Sequence, residues 1–115
     1  MINIHRTEVQ GVTVLRLEGE IDEEGVDTLR VGLLNCLKEK RTNVIVNLSG
    51  IRYISYMGIG VLMERRRQLR RLGGDMKLVG LNLFVQRAFH MASVTALFCI
   101  CDSEAQAIEG FREAA

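Results

Sequence analysis

Asn43-Val44-Ile45-Val46-Asn47-Leu48-Ser49-Gly50-Ile51-Arg52-Tyr53-Ile54-Ser55-Tyr56-Met57-Gly58-Ile59-Gly60-Val61-Leu62 is the stretch on which the fold turns. From Asn43 to Leu48 the chain is rich in β-branched side chains, too short for a helix and apolar at adjacent positions. That pattern predicts a strand buried on both faces, the central strand of a sheet. From near Gly58 the pattern changes. A helix carries Ile59, Leu62, Met63 and Leu69 inward until Gly73-Gly74 stops it. A buried strand that feeds a helix in mid-chain is the repeating unit of a parallel α/β sheet.

The same reading extends outward in both directions. Upstream, Ile2 to Val9 and Val12 to Gly19 form a hairpin through a turn at Gln10-Gly11. Asp22 then caps a helix to about Lys40, with Val26, Leu29, Leu33 and Leu37 along one face. Downstream, Met76 to Gly80 is a strand, and Asn82 caps a short helix through about Met91. Ala96 to Cys101 is the last strand, and Ser103 with Gln106 signs the start of a terminal helix. The order is ββαβαβαβα, a mixed, mostly parallel sheet joined by right-handed crossovers. Val14, Leu29, Leu33, Val44, Val46, Leu62, Leu78, Val79 and Phe98 are expected to share one core.

Composition narrows the functional classes. The chain has 115 residues, which fits one domain spanning 1–115, and its 48% hydrophobic and 25% charged residues are those of a folded globular protein. Fifteen Lys and Arg against fourteen Asp and Glu leave a net charge of +1, so no long-range field draws it to nucleic acid or to an anionic membrane. No apolar run has the length to cross a bilayer, and the start of the chain lacks the pattern of an export signal. Cys36, Cys99 and Cys101 form no CxxC pair and read as reduced thiols packed in a cytoplasmic protein.

Chemistry is sparse. His5 and His90 have no ligand or carboxylate at metal or triad spacing, so neither a metal nor a cofactor is expected. Gly58-Ile59-Gly60 lacks the third glycine of a phosphate-cradling loop, since Met63 stands there. Glu20, Asp22, Glu23 and Glu24 sit where a helix begins, and complementing its dipole explains them better than catalysis. Arg65, Arg66, Arg67, Arg70 and Arg71 make a compact basic patch, with Arg67, Arg70 and Arg71 on one face. It is either a solvated surface or an electrostatic contact for an acidic partner.

The segment Val46 to Leu62 resembles the STAS domain of bacterial anti-sigma-factor antagonists, whose pattern is D-L-S followed by I-D-S-S-G-L-G-V-L. Gly19-Glu20-Ile21-Asp22 is similar to its G-E-L-D, and Gly73-Gly74-Asp75-Met76-Lys77-Leu78-Val79-Gly80 to its G-G-x-L-x-L-x-G. Asp102-Ser103-Glu104-Ala105 matches near the end. The resemblance implies a mixed sheet with helices packed on one side. It also implies a non-catalytic regulator that docks on an anti-sigma factor of the kinase-like ATPase type; a weak homodimer is a further expected partner state.

In that family the second Ser of D-S-S-G is phosphorylated by the partner kinase, which abolishes docking. Carried onto this chain, Ser55 stands for the Asp, Tyr56 for the first Ser and Met57 for the phosphoacceptor, ahead of Gly58. A thioether takes no phosphoryl group. Ser55 and Tyr56 are the substitute hydroxyls, each with an ordinary structural use as a helix cap and as an amphipathic contact. Asn47 replaces the Asp of D-L-S. Ser55, Tyr56, Met57, Gly58, Ile59 and Gly60 are therefore the expected partner-binding residues. Two rival readings are an accessory STAS subunit of a membrane transporter and a small-ligand or nucleotide sensor using the loop near Gly58 and Gly60.

Overall fold

Gln10 and Gly11 both take positive φ, 52° and 80°, as a two-residue hairpin turn of matching twist requires. In the computed structural model, which describes residues 1–114, this turn joins β1 (Ile2–Val9) to β2 (Val12–Ile21). α1 (Glu23–Lys38) follows from Asp22, whose carboxylate accepts a hydrogen bond from the Gly25 N–H at 2.9 Å. Then come β3 (Asn43–Ile54), α2 (Tyr56–Arg71), β4 (Asp75–Val79) and α3 (Leu83–Met91). A short 3₁₀ turn at Thr95–Leu97, β5 (Cys99–Cys101) and α4 (Glu104–Ala114) complete the described residues.

The strands lie side by side in sequence order, with β1 antiparallel to β2 and every later pair parallel. β3 is central, as its composition predicts. It runs well past Leu48, however, because its register against β2 shifts twice, between the Arg16 and Glu18 pairings and between those of Gly19 and Glu20. Each shift adds an unpaired residue on β3 and flips the alternation of its side chains. Leu48, Ile51 and Ile54, three residues apart, consequently all face the same core. A strand with that spacing carries no period-two signal.

The last strand is shorter than its composition predicts. Val94 and Thr95 accept backbone bonds from Leu97 and Phe98, and this turn swings Phe98 inward onto Phe89, edge to face at 5.4 Å between ring centroids. Only Cys99 to Cys101 pairs with β4.

The sheet is covered on both faces, where one-sided packing was expected. Leu15, Val44, Val46, Leu62, Leu78 and Phe89 form the larger core, in which α1, α2 and α3 meet the sheet. Val12, Val14, Ile45 and Val79 point the other way and are closed off by Ala107 and Phe111 of α4. Adjacent apolar residues in β3 make both faces hydrophobic, so a helix on each is the physical consequence. All the residues expected in the core are buried, but Val14 and Val79 belong to this second cluster and not to the first.

α4 is held at its start by side chains. Gln106 N–H donates to Ser103 Oγ at 3.0 Å while Gln106 Oε1 accepts from the Asp102 N–H. Glu104 accepts two bonds from the Arg16 guanidinium, at 2.8 and 2.7 Å, and one from Asn47 Nδ2 at 2.7 Å. Asn47 Oδ1 also accepts from the Ser49 N–H and hydroxyl. Asn47 is thus a strut between β3 and α4, not simply a neutralised position on a loop.

Candidate functional site

Ser55 ends β3 and starts α2. Its backbone is extended (φ −77°, ψ 163°), its N–H donates to Ile21 O at 2.9 Å, and its Oγ accepts from the Gly58 N–H at 3.1 Å. This hydroxyl is the helix cap that the sequence predicts, and it starts the helix at Tyr56, earlier than the glycines alone indicate. Tyr56 and Met57 occupy the first two helical positions with 62% and 61% of their surfaces exposed. No acidic side chain lies in that first turn, so its backbone N–H groups and the positive end of the helix dipole carry no complementary side-chain charge.

Gly58 and Ile59 turn the other way. Gly58 is buried, and a Cβ there would stand 2.6 Å from Ile21 Cγ2. Ile59 belongs to the core. Their side-chain positions are closed to a partner, which corrects two of the six expected contacts. Gly60 is open, with nothing within 4 Å of a Cβ built on it. Ser55, Tyr56, Met57 and Gly60 remain as surface.

Beside the expected Tyr56, the structure adds Tyr53, Phe84 and Met91, which the sequence reading missed. Tyr53, Tyr56, Phe84 and Met91 line a groove of about 360 Å³ between the end of β3 and α3, with Arg52 and Arg87 on its rim. Phe84 is 74% exposed, and Tyr53 and Met91 are also exposed. A signal was available in α3. Val85 and Phe89 form its core stripe, while Phe84, Ala88 and Met91 repeat at i, i+4 and i+7 along a second apolar stripe, of which Phe84 and Met91 are exposed and Ala88 is half-buried against the core.

At the opposite end of α2 the basic cluster is only partly solvated. Arg66 and Arg70 share Asp75, each at 3.2 Å, and Arg67 pairs with Glu64 at 2.8 Å. Arg65 donates to Gln68 and to Arg30 O. Arg66, Arg67, Arg70 and Arg71 flank a groove of about 440 Å³ with Met63 and Leu97. Arg67, Arg70 and Arg71 are exposed, on one face as their spacing predicts.

Elsewhere, His5 and His90 are exposed. Among the described residues, no three His, Cys, Asp or Glu side chains converge to hold a metal ion, and no helix is long and apolar enough to cross a membrane.

Comparison with known proteins agrees with this geometry. The family model described as STAS domain matches residues 3–107. The anti-sigma F factor antagonist of Paenibacillus polymyxa is 25% identical over 100 residues, covering 86% of each chain. The crystal structure of an anti-sigma factor antagonist from Mycobacterium paratuberculosis superposes with a TM-score of 0.88 at 19% identity, covering 97% of this chain and 95% of that one. The structure of the anti-sigma factor antagonist SpoIIAA in its unphosphorylated form gives 0.74 at 22% identity, over 96% and 98%.

Proposed function

This chain belongs to the STAS domain family, and from that premise we propose that it is a non-catalytic, cytoplasmic regulator that docks on an anti-sigma factor of the kinase-like ATPase type without being switched by phosphorylation at the family position. The observation that carries this reading is the exposed apolar cluster at the start of α2. Tyr56 stands outside the fold with Tyr53, Phe84 and Met91 around a groove that Arg52 and Arg87 also line, and the exposed Met57 next to it lines a neighbouring groove with Arg30, Gly60 and Arg65. Large side chains left in water next to a rigid helix start suit a protein partner, whose binding removes them from solvent. Met57, in the position of the family's phosphoacceptor, supplies a flexible contact where relatives offer a hydroxyl. Ser55 is engaged as a cap and Tyr56 faces solvent as an apolar contact, which leaves the surface constitutively competent to bind.

Met57→Asp tests this directly. At the second helical position a carboxylate complements the helix dipole and should leave stability unchanged or raised by about 0.3–1 kcal/mol. The same charge in a desolvated interface should weaken binding to a purified kinase-type anti-sigma factor by several-fold or more, read by calorimetry. Binding that ignores both Met57→Asp and Phe84→Ala would remove this surface from the proposal. Stoichiometric phosphate on Ser55 or Tyr56 that controls binding, found by mass spectrometry of protein from its own cells, would show that the switch has moved along the turn. The sensor reading fits less well, because Gly58 is packed against Ile21 and Ile54 and not open to a ligand.

A further inference from the structure

We propose that Cys99 and Cys101 form a reversible modification site, a dithiol that closes to a disulfide by exchange with a small disulfide of the glutathione type. Alternate residues of a strand share a face, and here the two sulfurs stand 3.8 Å apart. A disulfide needs about 2.05 Å between them and a Cα separation of up to about 6.8 Å. Alternate residues of an extended strand lie near the upper end of that range, at about 3.3 Å of rise per residue, so closure requires a small buckle at Ile100. β5 is the place in the sheet where a buckle meets least resistance. It pairs with β4 alone, through Lys77↔Cys99, Leu78↔Ile100 and Val79↔Cys101, and Ile100 is 41% exposed.

The surroundings suit exchange. Lys77 Nζ lies 3.4 Å from Cys99 Sγ, a cation beside the sulfur that carries charge during attack. Cys99 and Cys101 are each only partly buried, so a small disulfide can reach the pair, and Cys101 also lines an open cleft of about 760 Å³ at the ends of β4 and β5. Burial and the neighbouring Cys99 hold the Cys101 thiol above its ordinary range, so it keeps its proton and acts second. The Cys99 thiolate attacks one sulfur of the small disulfide, releasing one small thiol and leaving a mixed disulfide. Cys101 then loses its proton and attacks Cys99 Sγ, releasing the second small thiol. The protein gives up two protons and two electrons, and the small disulfide becomes two thiols. Cys36, fully buried with its thiol pushed up by that burial and donating to Gly32 O, takes no part.

Closure acts on α4. Cys101 packs against the Val12, Ile45 and Phe111 cluster, and Lys77 Nζ lies 4.9 Å from the centre of the Phe111 ring. A buckle in β5 moves Cys101, one of the side chains packed in the cluster that seats α4, so the oxidised protein should be cut faster within α4 by a protease.

The test equilibrates the folded chain with glutathione buffers of graded potential, quenches with acid, and reads intact mass and alkylation by mass spectrometry. Expected are a loss of two hydrogens, joint protection of Cys99 and Cys101, a free Cys36, full reversal by reduced glutathione, and α4 cleavage at least several-fold faster when oxidised. Cys101→Ser should instead retain one glutathione on Cys99 and keep the wild-type melting temperature within a few degrees. A stable glutathione adduct on the wild type, a disulfide-linked dimer, or oxidation that appears only in denaturant would each overturn the proposal, as would an α4 whose cleavage rate does not change.

Discussion

A methyl group at Gly58 would lie 2.6 Å from Ile21 Cγ2 and 3.0 Å from Ile54 Cγ1, closer than carbon atoms pack. Gly58→Ala therefore overfills the seam between α2 and the sheet and should cost about 1–3 kcal/mol in urea unfolding. Gly60, on the open side of the same helix, meets nothing within 4 Å. There the same substitution only restrains the unfolded backbone and should stabilise by about 0.5–1 kcal/mol. Opposite signs within one turn are the expected result, and two changes of the same sign would mean that α2 is seated differently. Both glycines are visible in the sequence as a pair ahead of a helix. Which one is packed was not legible, because its neighbours Ile21 and Ile54 come from two different strands. Ser55 was legible as a cap, because a cap is a local signal.

Elements show the same divide between local and tertiary information. The hairpin, α1, α3 and the start of α4 announce themselves through turn residues and caps, and they are found within a residue or two of their predicted bounds. β3 beyond Leu48 does not, since its register shifts give Leu48, Ile51 and Ile54 a spacing that no regular strand has. The second apolar stripe on α3 was legible in principle, as Phe84, Ala88 and Met91 repeat with helical period. The arginine cluster at the basic end of α2 was legible from its spacing, but its ion pairs with Asp75 and Glu64 come from packing. They also change which variant tests it. Reversing Arg70 removes a bond to Asp75 as well as a surface charge, whereas Arg71 is exposed and has no ion pair among the described residues. If an acidic partner surface meets this patch, Arg71→Glu should slow association several-fold at low salt, with the difference shrinking at high salt and urea stability unchanged. An unaltered association rate returns the patch to plain solvated surface.

Across the whole molecule, a chain of net charge +1 carries its electrostatics as ties between elements. The Arg6 guanidinium joins β1 to the end of α1 through Glu39, and Arg16 and Asn47 join β2 and β3 to α4 through Glu104. These hydrogen bonds hold both the Glu39 and Glu104 carboxyls below their ordinary range, Glu39 through Arg6 and Glu104 first through Arg16 and then through Asn47. A carboxyl whose folded pKa is depressed contributes stability that is fully present above its unfolded value, about 4.3 for Glu. That contribution is lost as pH falls through the lower folded value. Thermal stability should accordingly be flat through the neutral range and fall below about pH 4.5, where these groups begin to take up protons. Glu104→Gln keeps the shape and one acceptor but cannot titrate, so it should melt lower than wild type at neutral pH and lose less on acidification, the two curves converging at the acid end. The variant also separates the two faces of the sheet, because Glu104 touches only the α4 side. Parallel acid profiles for wild type and Glu104→Gln would mean that α4 is held by Phe111 and Ala107 alone, with the charged strut adding nothing to the stability of the fold.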